Sequence, residues 1–311
     1  MEPVEKAVLE YVIHGKRSYG GINLKTTILI PEYRHPNLLE VCLKALIKNS
    51  RNKHRILVVG GEPKAIANDF MYNRNGQRYQ KYKCVDDFLN KNRVWLEDND
   101  ITFIDTTEIR KKFKEDYERK GGKYEGGVDT AFNDNTGVKH VDTEWFFWNW
   151  DDDFFAAPGW DANLFKYVDE SRSNRIYLPT LVQPSFGDNP ATKMVDPKDA
   201  WTTSSHISLH RLALPVPSRS EDYLFESEVN EYVTGNSREG TLEELCHIRH
   251  KMCWVPLLLK KSFYLGVGGC NYQGPGYDIE FDDRLGKLGI IKVMSRSSFV
   301  LHKAYVILEE K

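Results

Sequence analysis

Hydrophobic and polar positions alternate along the first half of the chain in blocks that match strands and helices. The apolar run Thr26-Thr27-Ile28-Leu29-Ile30 stops at Pro31, which predicts a buried strand that the proline ends. Residues 37–49 carry apolar side chains at helical spacing and predict an amphipathic helix. Residues 55–61 then predict a second strand, which ends in a glycine turn.

The same alternation continues to residue 148. The polar segment that follows residue 61 is expected to be helical in part, and residues 101–105 predict a third strand. Residues 126–141 predict a helix, and Trp145-Phe146-Phe147-Trp148 predicts a fourth, buried strand. Strands and helices in this order indicate an α/β fold with a mostly parallel sheet and helices on both faces.

The carboxyl ends of parallel strands are where such sheets bind ligands. Pro31, the pair Gly60-Gly61 and the residues after Trp148 all lie at predicted carboxyl ends. We therefore expect them to line one crevice.

The second half of the chain is less regular. Residues 179–205 are rich in Pro, Gly, Asp, Ser and Thr and predict a long loop of the kind that closes over a substrate. Residues 261–276 contain five glycines and predict a second loop. Residues 242–254 predict an amphipathic helix. Because the chain shows no internal repeat and no low-complexity linker, residues 1–311 are predicted to form a single domain.

Composition limits the classes of function. The 311 residues are 41% hydrophobic and 28% charged with a formal net charge of -2, which is ordinary for a soluble globular protein and gives no general attraction to nucleic acid or anionic membranes. The apolar runs are too short for a membrane span, and the first residues lack the features of a signal peptide. Five scattered cysteines argue against a disulfide framework. We expect a cytoplasmic protein.

Three consecutive carboxylates follow the tryptophan-rich strand. Asp151-Asp152-Asp153 would repel one another at the end of a buried strand unless a cation neutralised them. Oxygen ligands suit Mg²⁺ or Mn²⁺, which commonly share their coordination with phosphate. The alternative is a solvated acidic turn.

Together these segments resemble the nucleotide-sugar glycosyltransferases of the GT-A fold, in particular the family-2-like inverting group. The resemblance extends over residues 26–302 as an ordered series of short motifs. Residues 28–36 resemble the first strand and nucleotide-contacting turn of that family. The helix with Ala131, Asn133 and Gly137 is similar to the segment before its metal motif, and Asp151-Asp152-Asp153 fits the DxD motif.

This resemblance implies a Rossmann-like, mostly parallel sheet flanked by helices, with a smaller mixed region on the acceptor side. Residues 24–153 would bind the nucleotide sugar, and residues 154–311 would bind the acceptor and supply the catalytic base. The resemblance also assigns metal ligation to Asp151, Asp153 and His302, the last at the end of the apolar run 298–301. The implied donor contacts are Pro31, Tyr33, Glu62, Asn133, Asp151, Asp152, Gly268 and Gly269.

The implied catalytic base lies near the end of the chain. The segment Tyr277-Asp278-Ile279-Glu280-Phe281, with Arg284 and Leu285 after it, is similar to the family segment Glu-Asp-x-Glu-Phe-x-x-Arg-Leu, in which the aspartate is the general base. Asp278 occupies that position and Glu280 is the second candidate, although Tyr277 stands where the family often has glutamate. The alternative is a helix whose first turn carries acids because of the helix dipole.

The function implied is metal-dependent, inverting transfer of a sugar from a nucleotide diphosphate donor, with UDP-sugar favoured, to a hydroxyl of a saccharide or glycoconjugate. The cofactor would be Mn²⁺ or Mg²⁺. Basic and aromatic residues occur together in 72–83 and 110–123, a combination that can bind nucleic acid. The resemblance to glycosyltransferases, some of which in phages modify hydroxymethylated DNA, therefore implies such DNA as the alternative acceptor.

Other classes of protein remain open. One is a non-catalytic sugar- or nucleic-acid-binding protein with a transferase fold. Another is a nucleotidyltransferase, although residues 31–36 are not the basic, glycine-rich loop that such an enzyme would use. A zinc site is a further alternative, at Cys246, His247, His250 and Cys253.

Overall fold

A computed structural model describes residues 24–69, 71–72, 78–149, 154–156, 159–172, 174–182, 229–233, 248–249, 256–272 and 277–302. The aspartates 151–153 and the cysteine and histidine cluster at 246–253 lie outside these ranges.

Four parallel strands form the first half of the sheet, and all four were predicted. They are β1 (Thr26–Pro31), β2 (Arg55–Gly60), β5 (Ile101–Asp105) and β6 (Trp145–Trp148). β1 lies in the middle, where its Ile28 pairs with Ile56 of β2 and with Phe147 of β6. Every residue of β1 and β6 is buried, because the sheet is covered on both of its faces there.

Helices and one short hairpin connect these strands. The helices are α1 (Pro36–Asn49), α2 (Val85–Lys91), α3 (Arg93–Asp98), α4 (Thr107–Arg119) and α5 (Gly126–His140), and the hairpin joins β3 (Met71–Tyr72) to β4 (Arg78–Tyr79). Gly137 lets α5 lie close against the sheet, since a Cβ atom there would be 2.5 Å from Leu29 Cδ1 and 2.9 Å from Val59 Cγ2. The helix predicted over 126–141 is confirmed.

The second half of the sheet is mixed. It contains β7 (Phe154–Ala156), β8 (Arg175–Val182), β9 (Val229–Val233), β10 (Ile248–Arg249), β11 (Leu257–Lys260) and β12 (Ile291–His302), with helices α6 (Trp160–Phe165), α7 (Lys261–Gly266) and α8 (Tyr277–Lys287). The strand order is β5-β2-β1-β6-β11-β8-β12-β7, with β10 beside β8 and β9 beside β12. β11 runs antiparallel to β6, which ends the parallel half of the sheet.

Three local predictions in this half are wrong. Residues 248–249 form a strand and not part of a helix, because Ile248 pairs with Val182 at the edge of β8. The loop predicted over 261–276 begins with helix α7, and the loop predicted over 179–205 begins with the last four residues of β8. In each case pairing or packing with a distant segment overrides the local composition.

None of the helices in the described part of the chain is long and apolar enough to cross a membrane.

Candidate active site

A cavity of about 610 Å³ opens at the carboxyl ends of β1, β2 and β5. Glu32 and Gly61, which directly follow β1 and β2, line it. Residues at the starts of α4 and α5 line it as well, among them Thr107 and Asp129. Of the described residues predicted to line one crevice, Gly61 lines this cavity, whereas Pro31 and Gly60 each directly precede a residue that does.

Glu32 extends β1 into the wall of the cavity and is 1% exposed. Its backbone N–H donates to Val59 O at 2.9 Å, and its Oε1 accepts a hydrogen bond from the backbone N–H of His35 at 2.6 Å. Its buried Oε2 has no hydrogen-bond partner among the described residues. Burial raises the pKa of Glu32 to about 7, although the nearby backbone N–H groups of His35 and Arg34 oppose the rise.

Gly60 leaves the room that the Glu32 carboxyl group occupies. A Cβ atom at position 60 would lie 2.7 Å from Glu32 Oε2 and 3.0 Å from the backbone oxygen of Glu32. The end of β2 therefore carries no side chain at the point where the end of β1 carries a buried carboxyl group.

Arg110 connects the turn after β2 to the first turn of α5. Its guanidinium lies so close to Gly61 that a Cβ atom there would be 2.8 Å from Arg110 Cζ. It pairs with Glu62 (Nη2 to Oε1, 3.4 Å) and with Asp129 (Nη1 to Oδ2, 3.0 Å). The Tyr124 hydroxyl donates to Asp129 Oδ1 at 2.5 Å, and burial together with this hydrogen bond raises the pKa of Tyr124.

Two residues at the cavity have left-handed backbone conformations. Arg34 has a φ of 66° and Glu62 a φ of 57°. Non-glycine residues in this region carry strain, which collects at ligand sites. The backbone N–H of Glu62 donates to Thr107 Oγ1 at 2.7 Å, which fixes the turn after β2 against the start of α4.

The predicted donor contacts in this half have different surroundings. Tyr33 and Glu62 line the cavity, and Pro31 is the buried last residue of β1. Asn133 is fully buried in α5, where its Oδ1 accepts from Thr106 Oγ1 at 3.1 Å. Thr106 in turn donates its backbone N–H to Gly60 O at 2.8 Å, so Asn133 supports the end of β2. Its predicted contact with a nucleotide stays a prediction.

The glycine pair and the second candidate base belong to one hydrogen-bonded cluster. Gly268 and Gly269 have φ values of 86° and 64°. Arg284 donates to Gly269 O at 2.7 Å and to Val267 O, and it pairs with Glu280 through two contacts of 3.0 and 2.9 Å. Glu280 thus orients the arginine that holds the glycine turn. Asp278 lies in the first turn of α8, and only its backbone is described.

Of the metal-ligand candidates Asp151, Asp153 and His302, the structure describes only the backbone of His302. β7 begins at Phe154, the residue after Asp153, and runs antiparallel to the end of β12. In this pairing Phe154 lies directly opposite His302. Among the described residues, no group of three or more His, Cys, Asp or Glu side chains could hold a metal ion.

The basic stretch 110–123 coincides largely with α4, which has no buried residue. Arg119 and Lys120 both pair with Asp116, and Lys123 pairs with Glu125. These contacts are those of a solvated helix and give the DNA acceptor no support.

Sequence reasoning missed Glu32, Arg110, Tyr124 and Asp129 as cavity residues. Glu32 could have been found, because a charged residue directly after a buried strand and its proline is unusual. The other three come together only through the packing of α4 against α5, and no local pattern in the sequence marks them.

The described fold is similar to that of solved glycosyltransferases. One similar structure is a crystal structure of GalNAc-T7 with UDP, GalNAc and Mn²⁺, with a TM-score of 0.51 and 11% sequence identity. The match covers 91% of this chain and 45% of the GalNAc-T7 chain. A crystal structure of S. aureus TarS 1-349 matches with a TM-score of 0.50 at 10% identity and covers 90% of this chain and 60% of that chain. The chain therefore spans about half the length of one and three fifths of the other.

No family model matches the chain, and no curated protein matches it. The similarity in structure shows the GT-A fold, so the fold predicted from the sequence is confirmed.

Proposed function

We propose that this chain is a metal-dependent, inverting glycosyltransferase. It moves a sugar from a nucleotide diphosphate donor, a UDP-sugar, to a hydroxyl group of a saccharide or glycoconjugate. The GT-A fold and the cavity at the carboxyl ends of β1 and β2 support this proposal, as does the Mn²⁺ and UDP content of the GalNAc-T7 structure.

The pairing of β7 with β12 is the observation that carries the proposal. Directly opposed residues of an antiparallel pair have Cα atoms about 4.5–5.5 Å apart. His302 lies opposite Phe154 in this way, and Phe154 is the residue that directly follows Asp153 in the chain. Phe154 and His302, which are far apart in the chain, therefore lie side by side directly after the acidic motif in the sequence.

The residue types at this place fit a divalent cation. Asp153 and His302, with Asp151 nearby in the chain, provide oxygen and imidazole nitrogen ligands, which suit Mn²⁺ and leave open positions for phosphate. A cation bound there supplies positive charge to the diphosphate leaving group. Asp152 would contact the sugar or the diphosphate.

The cavity provides the space for the nucleoside. Neighbouring strands of a sheet are about 4.8 Å apart, so β2 lies about 10 Å from β6 with β1 between them. A nucleotide with its diphosphate at the end of β6 would extend across Pro31 and Tyr33 toward Glu62.

Asp278 would be the general base. An inverting transfer needs a carboxylate that takes the proton from the acceptor hydroxyl while its oxygen attacks the anomeric carbon. Glu280 is engaged by Arg284 through two contacts, so its carboxylate is less available for this role. Gly268 and Gly269, held by the same arginine, would let the backbone approach the donor sugar.

A thermal-shift experiment tests the donor side of this proposal. We expect UDP with Mn²⁺ to raise the melting temperature of the protein, and Asp153→Ala and His302→Ala to reduce that shift. Asp98→Ala, at an exposed position on α3, is the control and should keep the full shift. A shift that persists in Asp153→Ala would show that the metal assignment is wrong, and no shift with any nucleotide diphosphate and metal would overturn the proposal.

A further inference from the structure

Glu32 directs one buried oxygen atom at a donor that the described chain does not contain. Its Oε1 is occupied by the backbone N–H of His35, whereas its Oε2 has no partner. Leaving a buried acceptor without a hydrogen bond is costly, and native proteins rarely tolerate it without a reason. Because Glu32 lines the cavity, a ligand that fills the cavity can supply the missing donor.

The position of Glu32 in the sheet decides which part of a ligand it meets. It follows β1, the strand next to β6, and its carboxyl group lies over Gly60 at the end of β2. It is therefore on the side of β1 that faces away from the proposed metal site. On the proposed function, from which this inference follows, the nucleobase lies there and the diphosphate does not.

We propose that Glu32 is the residue that selects the nucleobase of the donor, through a hydrogen bond that its Oε2 accepts from the imide N–H of uracil. An ionised carboxylate can only accept hydrogen bonds. Uracil presents an N–H at ring position 3, where cytosine presents an unprotonated nitrogen. When Glu32 is ionised, a site built around this hydrogen bond therefore rejects cytosine, because two acceptors would face each other.

The burial of Glu32 should link binding of the nucleobase to release of the proton from its carboxyl group. Since burial raises the pKa of Glu32 to about 7, the free protein holds much of this group in its neutral form near neutral pH. The uracil N–H stabilises the carboxylate and so favours release of the proton. The affinity for UDP should be highest at pH values above the pKa that Glu32 has in the ligand-free protein. It should fall as the pH falls below that pKa.

Other charged groups near Glu32 define the background of this experiment. His35 at the start of α1 stabilises the carboxylate, whereas Asp69 disfavours it. Arg34 precedes His35, and Glu62 and Arg110 also line the cavity. Gly60 of β2, which lies against the Glu32 carboxyl group, carries no side chain. Glu32→Gln leaves all of these groups in place, so the difference between it and the wild type isolates Glu32.

Calorimetric titration with UDP and CDP in the presence of Mn²⁺, at pH 6 and pH 8, tests this inference. We expect wild-type affinity for UDP to fall about tenfold from pH 8 to pH 6, as the ionised fraction of a group with a pKa of about 7 does. In Glu32→Gln the preference for UDP over CDP should shrink by about tenfold or more, since an amide can also donate to cytosine. The affinity of this variant for UDP should vary less with pH.

Two further variants separate recognition from folding. Glu32→Asp keeps the charge but withdraws the acceptor by one methylene, so it should weaken UDP binding while keeping the pH dependence. Glu118→Gln, at an exposed position on α4, should behave as the wild type in every titration. Thermal unfolding of each variant shows that it is folded before binding is compared.

The outcomes distinguish this inference from the proposed function. In one outcome the wild type binds UDP while Glu32→Gln shows the same preference for UDP over CDP and the same pH dependence. That result would overturn the role of Glu32 and leave the glycosyltransferase proposal intact. Equal affinity of the wild type for UDP and CDP would do the same. No binding of any nucleotide diphosphate would overturn both.

Discussion

The carboxyl group of Glu32 occupies the space that a side chain at Gly60 would take, with Oε2 only 2.7 Å from the position of a Cβ atom. The two residues lie at the ends of neighbouring strands, β1 and β2. This arrangement leaves an ionisable group buried in the wall of the cavity, where its protonation should affect the stability of the protein.

The free energy of unfolding should depend on pH through Glu32. Its pKa is raised from 4.5 to about 7 in the folded protein, so the folded state keeps a proton that the unfolded state releases between these values. The contribution of Glu32 is complete below pH 4.5 and is lost as the pH rises through 7. Relative to Glu32→Gln, the wild type should lose up to about 3 kcal/mol across this window, measured by urea unfolding without ligand.

Comparing the free energies of unfolding of the wild type and Glu32→Gln removes the contributions of other groups. One such group is Asp69, whose pKa is also raised by burial. Glu118→Gln should show no such change between pH 4.5 and 8. A constant difference between Glu32→Gln and the wild type over this range would contradict the burial of an ionisable carboxyl group at position 32.

Substitutions of Asp278 and Glu280 should show which of the two is the general base of the proposed reaction, because one should lower kcat and the other should mainly lower stability. We expect Asp278→Asn to lower kcat by about 100- to 10,000-fold, because the acceptor hydroxyl loses its proton acceptor, while the affinity for UDP is unchanged. Glu280→Gln should retain most of the kcat and cost about 1 kcal/mol or less in stability, since its pair with Arg284 is partly exposed. Initial rates and urea unfolding measure the two effects.

The opposite pattern would assign the base to Glu280. The anomeric configuration of the product gives an independent check, because direct displacement with a base inverts it. Retention of configuration would contradict the role of Asp278 even if its substitution abolished transfer.

The sequence predicted the parallel half of the fold because local composition marks each of its strands. β1, β2, β5 and β6 are short apolar runs that end at Pro31, at Gly60 and at charged or polar residues, so their bounds follow from composition. β10 could not be predicted in this way. Its two residues form a strand only because β8 offers them an edge.

The candidate site was predicted in part for a similar reason. Tyr33 and Glu62 directly follow predicted strands, so the general rule for parallel sheets locates them at the cavity. The partners of Arg110 could not be predicted, because Glu62 and Asp129 reach it from different segments. That Glu32 lies over Gly60 depends on the register of β1 and β2, which the sequence does not state.

Asp161 should be essential for the stability of the protein, because it binds the segment that directly precedes β2. It is fully buried, and its carboxylate accepts hydrogen bonds from the backbone N–H groups of Arg51 and Asn52 and from His54 Nε2 at 3.1 Å. Although burial disfavours ionisation, these hydrogen bonds hold the pKa of Asp161 below its ordinary value of 3.8. Its contribution should therefore be present above pH 3.8 and lost as the pH falls through the lower, folded value.

Asp161→Asn should lower the free energy of unfolding at pH 7 by about 3–5 kcal/mol, since an amide presents donors to backbone N–H groups. Urea unfolding measures this loss. The matched substitution Asp98→Asn, at an exposed position, should change stability by no more than about 0.5 kcal/mol. Equal effects of the two substitutions would show that the Asp161 network contributes nothing specific.

Three glycines in the second half of the chain differ in whether an added side chain would meet backbone strain, a lack of space, or neither. Gly269 has a φ of 64°, and a Cβ atom there would lie 2.3 Å from Asn135 Oδ1. Gly289 has a φ of 68° with nothing within 4 Å of its Cβ position. Gly266, the last residue of α7, likewise has open space at that position and no left-handed φ.

Substituting each of these glycines with alanine should therefore give a graded series in urea unfolding. Gly266→Ala should be neutral or stabilising by up to about 1 kcal/mol, through helix propensity and reduced freedom of the unfolded chain. Gly289→Ala should cost about 1–2 kcal/mol through strain alone. Gly269→Ala should cost more than Gly289→Ala, because Asn135 also holds both backbone groups of Cys270 and cannot yield freely. Equal losses at 269 and 289 would mean that the Asn135 contact does not restrict the turn.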